Sequence, residues 1–232
     1  MTVRRVGHKG ADHIAPGNTP ASFDAALACG VDMIEFDVLP RQRDAPESAL
    51  VLAHDFGAVP GAPTLEAGLE HLASSPFEGV ELDVDLKMPG YEARVLDALR
   101  RHGLVERTLV TTQYMRSLVV MRRLEPALRL GWSVPRVKKD YTASPLLRLP
   151  AYAGIFHVRR RLPRVAAEHL RARRCDALMT HWRLVSPQLV QAVREAGGDL
   201  YVWTVDDAEQ IRRLEALGVT GVITNDPRLF AG

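Results

Sequence analysis

Residues 79–114, GVELDVDLKMPGYEARVLDALRRHGLVERTLVTTQY, decide how this chain folds. GVELDVDLK alternates apolar and charged residues. Side chains of an extended strand alternate between its two sides, so Glu81, Asp83, Asp85 and Lys87 share one face. YEARVLDALRRHG then reads as a helix that ends on Gly103, and RTLVTTQY returns to strand composition. A strand, a helix and a second strand in that order require a crossover connection, which makes the two strands parallel neighbours.

The same unit recurs on either side. RRVGH is a first strand, and TPASFDAALACG is a helix capped by Asn18 or Thr19. VDMIEFDVL is a second strand, and SALVLAHD is a strand that returns after a short polar loop. TLEAGLEHLA follows as a helix behind Thr64, without a full capping box. Beyond the opening stretch, MRSLVVMRRLEP precedes RLGWSV, and DALMTH precedes SPQLVQAVREAG, where Ser186 caps and Pro187 takes the first helical position. DLYVWTV pairs with DAEQIRRLEALG, and GVITN ends the series. Residues 136–174, rich in proline and arginine, give the weakest signals. About eight strands alternating with helices imply the α/β class with a parallel sheet. At 232 residues the compact solution is a single-domain (β/α)8 TIM barrel spanning 1–232, with a doubly wound sheet as the second choice.

Composition narrows the class of function. Apolar residues make up 47% and charged residues 25%, ordinary for a globular protein. A net charge of +2 gives no bulk case for nucleic-acid binding. Cys29 and Cys175 form neither a disulfide framework nor a CxxC pair. No secretory signal and no apolar run of the ~18 residues needed to span a membrane is visible, so the cytoplasm is the expected compartment. The oligomeric state leaves no mark in the sequence.

In a parallel barrel, chemistry gathers at the C-terminal ends of the strands. Those positions hold His8 and Lys9, Glu35 and Asp37, His54 and Asp55, Asp83 to Lys87, Gln113, His181, Trp203, and Asn225 with Asp226. In IEFDV, Glu35 and Asp37 point one way while Ile34, Phe36 and Val38 point the other. Two carboxylates on a barrel-facing side are costly unless a positive charge lies between them. A hard divalent cation such as Mg²⁺ or Ca²⁺ would satisfy both. Asp85 could add a third oxygen, Asp83 a fourth ligand or a supporting partner, and Lys87 a cation for an anionic substrate. Glu81 is expected in solvent. His8 and His54, each at a strand end, offer one group to take a proton and one to give it.

Taken in order, GHKG, PGNTPASFDAALACGVDMIEFDV, LVLAHD, TLEAGLEHL, the strand ending DLK, WTVDD and GVTGVITNDP resemble the glycerophosphodiester phosphodiesterase family over nearly the whole chain. The family pattern runs His-Arg-Gly, Pro-Glu-Asn-Thr, Glu-x-Asp, His-Asp and Glu-x-Lys. The resemblance implies a TIM barrel and a metal-dependent hydrolase that releases glycerol 3-phosphate and an alcohol. It implies His8 and His54 as general acid and base, and Glu35, Asp37 and Asp85 as ligands of Mg²⁺ or Ca²⁺. Lys9 and Lys87 would contact the phosphate, and Trp203 would wall the glycerol or headgroup, its other reading being a barrel-core aromatic. The attacking oxygen is left open between water and a substrate hydroxyl that closes a cyclic phosphate. The chain departs from the pattern at Lys9, where arginine is usual and a bidentate grip is lost. It departs again at Gly17 in place of glutamate, and the two changes are expected to be linked. Only FGAVPGAP separates His54-Asp55 from the next helix, which opens the mouth to larger phosphodiesters. A phospholipase D-like or lysophospholipase D-like enzyme and a barrel that only binds a phosphorylated ligand are the alternatives.

Other features read blandly. Seven arginines against one glutamate between His157 and Arg174 suit a solvated helix face, with peripheral membrane or nucleic-acid contact the lesser reading. His13, His71, His102, His157 and His169 show no partner in the sequence. Met115, Met121 and both cysteines suit the core.

Overall fold

The computed structural model describes residues 3–135 and 148–231. Its strands are β1 (Arg4–Gly7), β2 (Met33–Gln42), β3 (Ala45–Leu52), β4 (Glu81–Leu86), β5 (Thr108–Thr112), β6 (Arg129–Val134), β7 (Ala177–His181), β8 (Asp199–Trp203) and β9 (Gly221–Thr224). The helices are α1 (Pro20–Ala28), α2 (Leu65–Leu72), α3 (Glu92–Arg101), α4 (Met115–Leu124), α5 (Arg148–Arg171), α6 (Pro187–Glu195) and α7 (Ala208–Leu217). β1 pairs in parallel with both β2 and β9, which closes eight parallel strands into a ring. β3 lies outside the ring, antiparallel to β2 with Val38 opposite Leu52. The expected (β/α)8 barrel is what forms, and SALVLAHD is the strand added to it. Of the weakly read stretch, residues 136–147 lie outside the described residues.

Local chemistry sets the helix starts. Thr19 caps α1, accepting from the Ser22 amide while the Ser22 hydroxyl accepts from the Thr19 amide, so Thr19 and not Asn18 is the cap. Thr64, Ser186 and Asp207 cap α2, α6 and α7 in the same side-chain-to-amide fashion, with Pro187 in the first turn of α6.

The strand alternation divides the core into two shells. Outward-facing Ile34, Phe36, Val38, Leu82, Val84, Val110, Leu130, Leu178, Val202 and Val222 join the helices in one large cluster. Inward-facing Val6, Met33, Leu109, Ala177, Met179, Tyr201 and Ile223 fill the barrel. Below them, Glu81 pairs with Arg4 and with Arg129 (Nη2, 2.6 Å). This corrects the expectation of a solvated Glu81: the strand begins at that residue, and two arginines from β1 and β6 hold its carboxyl below the usual range against the effect of burial. The partnerless reading of His71 and His102 is also corrected, since their Nε2 atoms meet Asp24 at 2.8 Å and Glu66 at 3.0 Å. Met121 and Cys175 are buried, whereas Cys29 is only half-buried. No helix among the described residues is long and apolar enough to cross a membrane.

Phe36 is wholly buried between the barrel wall and α1, its ring 5.7 Å from that of Phe23. Phe36→Ala should cost about 3–5 kcal/mol, measured as a lowered urea midpoint at unchanged slope; a shift of a few tenths of a kcal/mol would contradict this packing.

Candidate active site

The parallel register of β2 and β4 sets Glu35 beside Asp83 and Asp37 beside Asp85, all facing inward. Glu35, Asp37 and Asp83 are buried and Asp85 nearly so. One oxygen from each of Glu35, Asp37 and Asp85 lies within 4.8 Å of the others. Asp83 stands apart from that group and accepts from the Thr111 hydroxyl at 2.7 Å, which makes it a supporting partner. Lys87 Nζ reaches Asp37 Oδ1 at 2.6 Å and Asp85 Oδ2 at 2.7 Å.

Burial and mutual repulsion sort these groups by charge. Burial, with the charges of Asp37 and Asp83, holds the Glu35 carboxyl well above the usual range. Burial pushes Asp83 to about 8 against the Thr111 hydrogen bond, and raises Asp85 although Lys87 opposes it. Asp37 goes the other way: Lys87 and His54 overcome its burial and hold it well below the carboxylate range. Burial would lower Lys87, but Asp37 and Asp85 hold it well above the lysine range. Asp85 Oδ1 is buried with no hydrogen-bond partner among the described residues. An all-oxygen cluster with a spare buried acceptor fits a hard divalent cation, and Lys87 supplies the balancing charge here.

The two histidines flank this cluster from different loops. His8 Nδ1 lies 2.5 Å from Asn225 Oδ1, and Asn225 Nδ2 donates to Asp206 Oδ2 at 2.7 Å. An ionised carboxylate only accepts, so Asp206 fixes the Asn225 amide and its oxygen faces His8. His8 must therefore donate from Nδ1, leaving the Nε2 lone pair toward the cluster, 3.8 Å from Glu35 Oε2. Burial lowers His8 to about 4, so the ring is neutral at pH 7. His54 is half exposed, with Nδ1 3.3 Å from Asp37 Oδ2.

The loop after β1 ties the site together. The Lys9 amide donates to Glu35 Oε2 at 2.8 Å. Buried Asn18 brackets Asp37, donating from Nδ2 to Oδ2 and accepting from the Asp37 amide, both at 2.9 Å. Lys9 Nζ meets Asp12 Oδ2 at 3.1 Å, while Asp12 Oδ1 accepts from the Gly17 amide at 2.9 Å. A Cβ on residue 17 would lie 2.4 Å from Asp12 Oδ1 and 2.9 Å from Lys9 Cβ, so glycine is what admits the Asp12 carboxylate. The two departures from the family pattern are thus joined in space through a third residue.

A cleft of about 300 Å³ opens beside His54, lined by Lys9, Asp12, Asn18, Ala53, His54 and Pro60 among others. Trp203 is half-buried, packs on the inner barrel cluster and meets His181 edge-on at 5.4 Å. It stands at the C-terminal end of β8. The structure brings His8, Lys9, Glu35, Asp37, His54, Asp85 and Lys87 together. Sequence reading placed Asn225 at a strand end without giving it a role, and passed over Asp12, Asn18 and Asp206. Asn18 and Asp206 sit inside the stretches PGNT and WTVDD, and polar residues in the loops that follow strand ends are the signal that would have found them.

Gly17→Ala should destabilise by about 1–3 kcal/mol through overpacking, and by less in an Asp12→Ala background, where only the contact with Lys9 Cβ remains. A double-mutant cycle in urea checks this; additive effects would show that the two residues do not compete for that space.

The model of the glycerophosphoryl diester phosphodiesterase family matches residues 79–229. The chain is similar along its length to a glycerophosphodiester phosphodiesterase from Caldanaerobacter subterraneus subsp. tengcongensis, at 24% identity over 263 residues that cover 98% of this chain and 96% of that one. Its fold is shared with an Oleispira antarctica phosphodiesterase solved in complex with the product sn-glycerol-3-phosphate, at TM-score 0.73 and 20% identity, covering 100% and 98% of the two chains. An Agrobacterium tumefaciens glycerophosphodiester phosphodiesterase aligns at TM-score 0.69 and 22% identity, covering 99% and 100%. A family match over well more than half of the residues, on a barrel of the same architecture, means that this chain belongs to the glycerophosphoryl diester phosphodiesterase family.

Proposed function

We propose that the chain hydrolyses glycerophosphodiesters to glycerol 3-phosphate and an alcohol, using Mg²⁺ or Ca²⁺ on Glu35, Asp37 and Asp85 and proton exchange by His8 and His54. The observation that carries this reading is one cluster: three carboxylates whose oxygens fall within 4.8 Å of one another, with an imidazole on either side. Family membership and a relative crystallised with sn-glycerol-3-phosphate support the substrate class.

When bound, a divalent cation supplies positive charge against the phosphoryl oxygens. The protein does the rest. His8, neutral and donating through Nδ1 to Asn225, presents Nε2 as the acceptor for the proton of the attacking oxygen. His54 sits beside the ionised Asp37 and faces the cleft, placed to protonate the departing alkoxide. Lys9, held by Asp12, offers a cation at the cleft wall for the phosphate. Lys87 turns to the phosphate once its balancing task among the carboxylates is taken over. A lipid phosphodiester, the lysophospholipase D-like reading, draws support from the short loop of residues 56–63 beside the cleft.

His8→Ala and His54→Ala should each lower turnover of glycerophosphocholine about 10²–10⁴-fold, and EDTA should abolish it. Parallel assays on glycerophosphocholine and a lysophospholipid separate the two substrate readings. Wild-type protein inactive on both with either cation would contradict hydrolysis altogether.

Burial and the charges of Asp37 and Asp83 raise Glu35 well above the usual carboxylate range, so a divalent cation competes with a proton there. Titrating Mg²⁺ or Ca²⁺ at pH 7 should therefore release protons, and affinity should fall as pH is lowered. Calorimetry in two buffers of different ionisation enthalpy reads this directly; identical heats would refute the protonated Glu35.

A further inference from the structure

We propose that the stretch Phe156–Arg161 of α5 is a docking surface for anionic phospholipid, and that it meets the bilayer with the mouth of the barrel facing the same way. α5 has 24 residues, against 10 in α4 and 9 in α6. At 1.5 Å per residue it is about 36 Å long, roughly twice what the barrel wall needs. Helices of a parallel barrel run back against the strands, so α5 begins at the C-terminal mouth, where the carboxylates and histidines lie.

Among the described side chains of this helix, burial against the barrel is confined to the stretch from Leu162 onward. Leu162, Ala166, Ala167 and Leu170 are buried at helical spacing. Arg159 belongs to the same stripe, three residues before Leu162 and seven before Ala166, yet it is exposed. Phe156, seven before Pro163 and eleven before Ala167, is 62% exposed, the most of any large apolar side chain among the described residues. Ile155 alone keeps a partial contact with the outer core there. From Phe156 to Arg161, then, the helix stands clear of the barrel and carries Phe156, Val158, Arg159, Arg160 and Arg161 into solvent.

Charge favours lipid as the occupant. Residues 157–174 hold seven arginines and one glutamate, a local charge of +6 in a chain whose total is +2, so the remaining residues sum to −4. The chain is strongly polarised toward this helix. Arginines beside a protruding phenylalanine and valine match an anionic headgroup layer with acyl chain beneath it. Single-stranded nucleic acid would instead call for aromatics interleaved with the arginines, and none lies between Arg159 and Arg174. Docked this way, the mouth faces the layer from which a lipid phosphodiester would enter, which rests on the activity proposed above; the docking itself does not.

Flotation of the full chain with vesicles of phosphatidylglycerol and phosphatidylcholine, against phosphatidylcholine alone, tests this. The protein should bind only the anionic vesicles and be released by about 0.5 M salt. Replacing Arg159, Arg160 and Arg161 together by glutamine should weaken binding about a hundredfold, and Phe156→Ser about tenfold. Both variants should keep wild-type melting and turnover of glycerophosphocholine, so that a lost docking surface is distinguished from a lost activity or fold. Equal binding to neutral vesicles, unchanged affinity of the triple variant, or tighter binding to a single-stranded RNA than to the anionic vesicles would overturn the proposal.

Discussion

The structure depends on an electrostatic problem that the barrel creates for itself. The β2–β4 register forces Glu35, Asp37, Asp83 and Asp85 into one enclosed volume. Four ionised carboxylates cannot coexist there without compensation. The chain meets this in three ways: Asp83 is pushed to about 8 and bonded to Thr111, Glu35 is held in its neutral range, and Lys87 bridges Asp37 and Asp85. What remains at the upper rim is a group of three carboxylates, with Asp85 Oδ1 unpartnered among the described residues, that could hold a metal ion.

The loop after β1 turns that cluster into a directed site. It contributes no carboxylate to the cluster, yet it grips two of its members, Glu35 through the Lys9 amide and Asp37 through both ends of the Asn18 amide. Asn18 does this from a left-handed conformation at φ 60°, which asparagine tolerates better than most residues. On the opposite side, Asp206 orients Asn225 and Asn225 orients His8, so a carboxylate from the β8–α7 loop decides which nitrogen of a β1 imidazole faces the cluster. Neither chain of contacts is local in sequence. Barrel closure, which sets β1 between β2 and β9, is what brings them within reach.

Much of this was legible before any coordinates. Period-2 alternation in IEFDV and ELDVDLK is a strict geometric rule, so the shared inward face of Glu35, Asp37, Asp83 and Asp85 follows from spacing, and the strand–helix alternation carries the barrel with it. What stayed hidden has a common cause. Glu81 looked solvated because its two arginines come from β1 and β6, far away in sequence. Asn18 looked like a cap because Thr19, next to it, has the right backbone and the right neighbour at Ser22. Asn225 acts through a side chain that meets His8 only after the ring closes. Phe156 was passed over because the arginine run begins three residues after it, and its exposure depends on where the barrel ends.

The same register that makes the cluster also links its two cationic partners. Lys87 follows Asp85 by two residues, just past the end of β4, and its Nζ bridges Asp37 and Asp85. Glu35, Asp37 and Asp85 could hold a divalent cation, which would supply twice the charge of the Lys87 ammonium in a space where Asp85 Oδ1 lacks a partner among the described residues. Lys87, held charged by those carboxylates, and Lys9, at the cleft wall against Asp12, are then the two cations that an anionic substrate would meet at this rim.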